Sequence, residues 1–184
     1  MGDVLLTLPS EHLYSCWGTS EDIMKDKNGE HPFGDAGQLI LLAIFLSIWG
    51  GDSFFLRKTT FLSDYLPLYL RLSISALTIA IALYLFRSGH IAVSHHQRPD
   101  NVLTGGAFRY VRHPLYLASI LIYFGLSVST ASLFSFAFII VAIIFYDYIA
   151  GYEEGLLELK FGVVYSNYRK RTGRWLPRIG RNSG

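Results

Sequence analysis

The chain has 184 residues, of which 51% are hydrophobic, 15% aromatic and only 16% charged, and its mean hydropathy is +0.33. A soluble domain carries about 25% charged residues, so this balance excludes a disordered, collagen-like or disulfide-scaffold chain and points to a single membrane-embedded domain. The net charge of +2 conceals a gradient: residues 1–36 hold seven acids against two lysines, and residues 151–184 hold seven bases against three acids.

Residues 1–35 show no clear period and are broken by Pro9, Gly18, Gly29, Pro32 and Gly34. They have no basic n-region, and Leu5-Leu6-Thr7-Leu8-Pro9 is too short for a signal-peptide core. Leu6 stands where a myristoylation signal has Ser or Thr. Cys16, the single cysteine, permits neither an intrachain disulfide nor a cysteine zinc cluster, and reads as an ordinary thiol.

Four apolar segments follow, at 36–56, 66–86, 114–128 and 131–150. A spanning helix needs about 20 residues. The second and fourth meet that length, and the first meets it if Gly50-Gly51-Asp52 stays helical. The third is short, and the uncharged Ser127-Val128-Ser129-Thr130 joins it to the fourth as a tight hairpin. Backbone groups in lipid must be bonded internally, which predicts helices. No segment alternates as a barrel strand would.

The 51–65 loop balances Arg57 and Lys58 with Asp52 and Asp64, whereas the 87–113 loop sets Arg87, Arg98, Arg109 and Arg112 against Asp100 alone. The positive-inside rule therefore places 87–113 and 151–184 in the cytoplasm, and with four spans both termini lie there. The expected fold is an all-α integral membrane protein with about four transmembrane helices and a cytoplasmic amphipathic C-terminal helix. Residues 1–35 form its N-terminal cytoplasmic segment, and 36–86 its first two spans.

The chemistry-bearing residues fall in two stretches. In Gly105–Tyr116, the glycine pair allows positive φ or close backbone approach. Pro114 suits the first helical turn. That puts His113 at a helix N-terminus, where free N–H groups attract an anion, with Arg109 and Arg112 beside it. The plainer reading is a basic juxtamembrane segment on lipid headgroups. In the second stretch, Asp147, Gly151, Glu154 and Glu158 fall within about 60° on a helix, an acidic stripe entering the membrane, while Glu153 points elsewhere. Phe161, Tyr165 and Tyr168 follow helical spacing, as for an interfacial helix. Arg169-Lys170-Arg171 fits an anionic-lipid contact. His90, His95, His96 and His113 cluster around one loop, but their spacing suits no metal, and none is expected.

The combination of Gly106-Ala107-Phe108-Arg109-Tyr110-Val111-Arg112-His113-Pro114-Leu115-Tyr116 with Glu153-Glu154, Phe161-Gly162, Tyr165, Tyr168 and Trp175-Leu176-Pro177 resembles the isoprenylcysteine carboxyl methyltransferase and phospholipid methyltransferase superfamily. The likeness covers residues 85–178. It implies a small helical membrane enzyme using S-adenosyl-L-methionine, with 87–178 as the cofactor-binding half. Gly106, Arg112, His113, Pro114, Leu115, Tyr116, Glu153 and Glu154 are the implied cofactor residues. Arg109, Tyr110, Asp147, Tyr165, Tyr168, Arg174 and Trp175 are the pocket or substrate candidates, and no catalytic base is singled out. The expected partners are membrane lipids and a lipophilic or prenylated substrate, not nucleic acid. A prenylcysteine-type carboxylate leads as acceptor, then a phospholipid amine. A sterol-reductase-like NADPH enzyme is a further alternative, though Leu115-Tyr116 stands where those enzymes carry Asn-Tyr. A non-enzymatic lipid-binding protein is the remaining one.

Overall fold

The computed structural model describes residues 34–94 and 101–178. The readings made of residues 1–33, including Cys16, and of His95 and His96 lie outside them. Among the described residues the chain is helical with no strand, and one isolated parallel bridge joins Val111 to Gly173. The helices are α1 (Gly34–Gly50), α2 (Leu68–Ser94), α3 (Pro114–Thr130), α4 (Leu133–Phe161) and α5 (Val163–Arg171).

Three stretches, Ala36–Leu56, Leu68–Ser94 and Leu133–Phe161, are long and apolar enough to cross a membrane. The first survives its glycines because the chain continues from α1 into a wider π-helical turn, Gly51–Leu56. Helix α3 is apolar but has 17 residues. It rises about 25 Å, short of the roughly 30 Å hydrocarbon layer, so the expectation of four spans reduces to three candidates and one shorter helix. Its ends fix its length. His113 occupies the N-cap position without a side-chain capping bond, Pro114 follows in the first turn, and Ala131 turns left-handed at φ 54°.

Helix α2 runs eight residues beyond the expected end at Phe86, because its small residues dock it on α3. Ser75, Ala82 and Gly89 recur every seven residues along its buried face. They meet Ala118 and Gly125 of α3, also seven apart and both buried. A Cβ on Gly125 would stand 2.8 Å from Thr78 Oγ1, and one on Gly89 would stand 3.1 Å from Leu115 Cδ2. Small residues let membrane helices approach closely where no hydrophobic effect drives them together.

The core lies between α1, α3 and α4. Leu41 and Phe45 pack with Tyr116, Tyr123, Phe138, Ile139, Ala142 and Tyr146. The Phe45 and Tyr123 rings stack at 4.4 Å. Helix α4 begins at Ser132, whose side chain accepts from Ser135 N–H, and continues without a break past Ala150, the expected end of the span. It stops at Gly162, with φ 50°. That glycine splits the expected aromatic stripe: Phe161 closes α4, and Tyr165 and Tyr168 belong to α5.

Candidate functional site

Helix α4 carries Asp147, Glu153, Glu154 and Glu158 on one rod. The start of α3 brings Arg112 and His113 to it, and the segment after α5 brings Arg174 and Trp175. Glu154 is 2% exposed and lies at the centre. Arg112 donates through Nε to Oε1 at 3.0 Å and through Nη2 to Oε2 at 3.2 Å. Arg174 donates through Nε to Oε1 at 2.9 Å and through Nη2 to Oε2 at 3.1 Å. Two forked guanidiniums thus grip one carboxylate, the geometry that makes arginine pairs strong. The hydrogen bonds to Glu154 hold the Arg174 guanidinium above even its ordinary high range.

The rest of each guanidinium fastens the C-terminal segment. Arg112 Nη1 donates to the carbonyls of Arg169 (3.0 Å) and Thr172 (3.1 Å), and Arg112 N–H donates to the carbonyl of Gly173 at 3.0 Å. Arg174 Nη1 reaches Asp147 Oδ1 at 2.8 Å, which also accepts from Trp175 Nε1 at 3.0 Å. Gly151 leaves room beside the acidic stripe, as expected. The Arg174 guanidinium occupies that room, with Nη2 3.9 Å from where a Cβ would stand.

Glu153 points about 100° away from Glu154 around the helix, yet both reach His113, which stands between them. His113 Nε2 is 3.2 Å from Glu154 Oε1, and Nδ1 is 3.5 Å from Glu153 Oε2. Tyr116 O–H donates to Glu153 Oε1 at 2.5 Å. The His113 and Tyr116 rings stack at 5.5 Å, Tyr116 stacks on Tyr146 at 5.1 Å, and Trp175 lies 6.1 Å from His113. An aromatic wall therefore runs from the charge cluster into the core.

Other candidates stand apart. Glu158 is a surface group paired with Arg169 at 2.8 Å, so Arg169 meets an acid where the sequence suggested a lipid contact. Arg109 and Tyr110 are exposed. Tyr165 is buried, and Tyr168 O–H donates to the Phe108 carbonyl at 2.7 Å. Burial pushes the Tyr168 phenol up to about 12 and raises Tyr165 as well, so both remain neutral packing groups. Leu115 packs on Gly89.

Gly106 has φ 57°, and a Cβ there would lie 2.8 Å from the Ser88 carbonyl oxygen of α2. Beside it opens a cavity of about 630 Å³ between the end of α2 and the 102–106 segment. Tyr84, Arg87, Ser88, Ile91, Leu103 and Thr104 are among its walls. None of the residues of the Glu154 cluster lines this cavity, so different residues form the ligand-sized space and the charge concentration. Sequence reading missed Arg87 and Ser88 by assigning them to a loop edge. The absence of any proline or paired glycine between Phe86 and Ser94 is what signalled a continuing helix.

No curated protein and no solved structure matches the chain. The family model described as phospholipid methyltransferase matches residues 68–163, just over half of the sequence. That range runs from α2 to the start of α5 and includes Gly106, Arg112, His113, Tyr116, Glu153 and Glu154. The chain belongs to the phospholipid methyltransferase family, a family of membrane methyltransferases that includes the isoprenylcysteine carboxyl methyltransferases.

Proposed function

We propose that the chain is an integral-membrane, S-adenosyl-L-methionine-dependent methyltransferase acting on a lipophilic acceptor, a prenylcysteine-type carboxylate first. The observation that carries this is the convergence of Arg112, His113, Glu153 and Glu154 at one end of the helices, beside the close backbone approach at Gly106. We place that end at the cytoplasmic face, where the basic 87–113 and 151–184 segments put it.

The residues fit the cofactor. Its ammonium and ribose diol suit carboxylates, and its own carboxylate suits guanidinium, imidazole and helix N-terminal N–H groups. Both sets are present. Gly106 supplies a backbone cradle that a Cβ would fill. When bound, the cofactor supplies an electrophilic methyl group on a sulfonium. Glu153, His113 and Tyr116 would hold its polar end. Glu154 already grips two guanidiniums, so its role is positioning: it orients Arg112, His113 and Arg174.

The chain contributes alignment and exclusion of water. Arg112, His113 and Glu154 are each no more than 9% exposed, so a group brought against them loses most of its hydration. A carboxylate acceptor is ionised at neutral pH and needs no base. An amine must first release a proton, and His113, set between two carboxylates, is the group placed to take it. The family match itself favours a phospholipid amine as the second reading.

The deciding test is calorimetric titration of detergent-solubilised protein with S-adenosylhomocysteine. Saturable binding, followed by methyl transfer to a prenylcysteine and not to a phosphatidylethanolamine, supports the first reading, and the reverse supports the second. Folded protein that fails to bind S-adenosylhomocysteine overturns both. NADPH is then titrated to test the reductase alternative.

A further inference from the structure

The cavity beside the end of α2 is distinct in chemistry from the Glu154 cluster. Among the described residues its walls contain no acid and one charged side chain, Arg87. Arg87 stands on α2 one residue past the expected end of the span, with Leu83, Tyr84, His90 and Ile91 at helical spacing around it. It makes no hydrogen bond or ion pair with any described residue. Arg112 and Arg174, by contrast, are taken up by Glu154. The Ser88 and Thr104 hydroxyls share the lining with it. Tyr84, Ile91 and Leu103 give the remaining wall an apolar character. Gly106 keeps the floor tight, because any side chain there would strike the Ser88 carbonyl.

We infer that this cavity receives a carboxylate carried on an apolar or aromatic body, and that Arg87 anchors the carboxylate. A guanidinium with no acid beside it among the described walls is a fork open to a carboxylate. Against those walls an ammonium group would meet a cation. The inference rests on the methyltransferase reading, within which two ligands carry such a carboxylate: the cofactor through its amino-acid end, and a prenylcysteine acceptor through its terminus.

The test uses the full chain in detergent, wild type against Arg87→Gln and Arg87→Lys, with calorimetric titration of two probe pairs. The first pair is S-adenosylhomocysteine and 5′-methylthioadenosine, the same thionucleoside without the amino-acid end and so without the carboxylate. The second is N-acetyl-S-farnesylcysteine and its methyl ester. In Arg87→Gln, the acid member of one pair should lose roughly tenfold or more in affinity, and its carboxylate-free counterpart should hardly change. Arg87→Lys should recover part of the loss. Response in the nucleoside pair assigns the cavity to the cofactor, and response in the prenylcysteine pair assigns it to the acceptor. Equal affinities of wild type and Arg87→Gln for both acids overturn the inference, and so does a wild-type protein that binds neither acid. A wild-type protein that binds the prenylcysteine acid but not S-adenosylhomocysteine sinks the methyltransferase reading alone, and the second pair still decides the cavity. Arg87 is exposed and has no partner among the described residues, so its substitution should leave the thermal unfolding midpoint unchanged and keep the comparison interpretable.

Discussion

The two ends of the helical bundle each bury a carboxylate, Asp52 at one and Glu154 at the other, both 2% exposed. Their partners differ in kind. Asp52 accepts from the N–H groups of Lys58 and Thr59, each at 3.1 Å, from the Thr59 hydroxyl, and from the Ser132 hydroxyl at 2.6 Å. None of these donors is charged. They come from the turn that follows Asp52 and from the cap of α4, so the cluster clamps a turn onto a helix start. A negative charge beside that N-terminus is also favoured by the helix dipole. Glu154 instead draws two guanidiniums and an imidazole from segments 20 to 42 residues away. The comparison teaches that burial alone does not mark a working site. A carboxylate satisfied by local neutral donors is a staple, whereas one that gathers distant cations concentrates the charge that a polar ligand needs.

Substitutions can break or sharpen this contrast. The largest effect is expected for Glu154→Gln, which leaves the buried Arg112 guanidinium without its counter-charge and Arg174 with Asp147 alone. Removing one partner of a buried ion pair costs about 3–5 kcal/mol. Thermal unfolding should fall steeply and S-adenosylhomocysteine binding should be lost. Retained binding in folded Glu154→Gln would contradict the positioning role.

Asp52→Asn should cost about 1–3 kcal/mol, through weakened bonds to buried donors. It should lower the unfolding midpoint and leave the affinity for S-adenosylhomocysteine unchanged. A shift in that affinity would erase the distinction between the two ends. Tyr116→Phe removes the phenol from Glu153 and should cost about 1 kcal/mol of stability. It should be read in the methyl-transfer rate at saturating cofactor, where a loss larger than the stability change places Glu153 in the site. The smallest effect is expected for Glu158→Ala. Its pair with Arg169 is nearly half exposed on both sides, so unfolding should shift by no more than about 1 kcal/mol, and less at high salt.

Much of this was legible in the residues. Apolar length and the lack of alternation predicted membrane helices, and three are long enough. Pro114 predicted a helix start, and it opens α3 with His113 at the N-cap position. The spacing of Asp147, Gly151 and Glu154 predicted an acidic stripe with a gap, and Arg174 fills that gap. Helix periodicity repeats every few residues, so it can be read in one dimension. The apolar spans end at Phe86 and Ala150, because hydropathy ends where charges begin, but α2 and α4 run on past them. Gly89 continues α2 since α3 packs on it, and Glu153 and Glu154 continue α4 since side chains from elsewhere meet them.

What the sequence by itself determined is therefore local: which segments are helices, where they cap, and which side chains share a face. The tertiary structure alone decided that His113 stands between Glu153 and Glu154 and that Arg174 returns to Asp147. It also decided that Arg87 faces a cavity while Arg112 is wholly engaged. These juxtapositions depend on how closely the helices pack and on the path of the segment after α5. No one-dimensional pattern encodes such distances, because each is fixed by atoms far apart in the chain that compete for the same small volume.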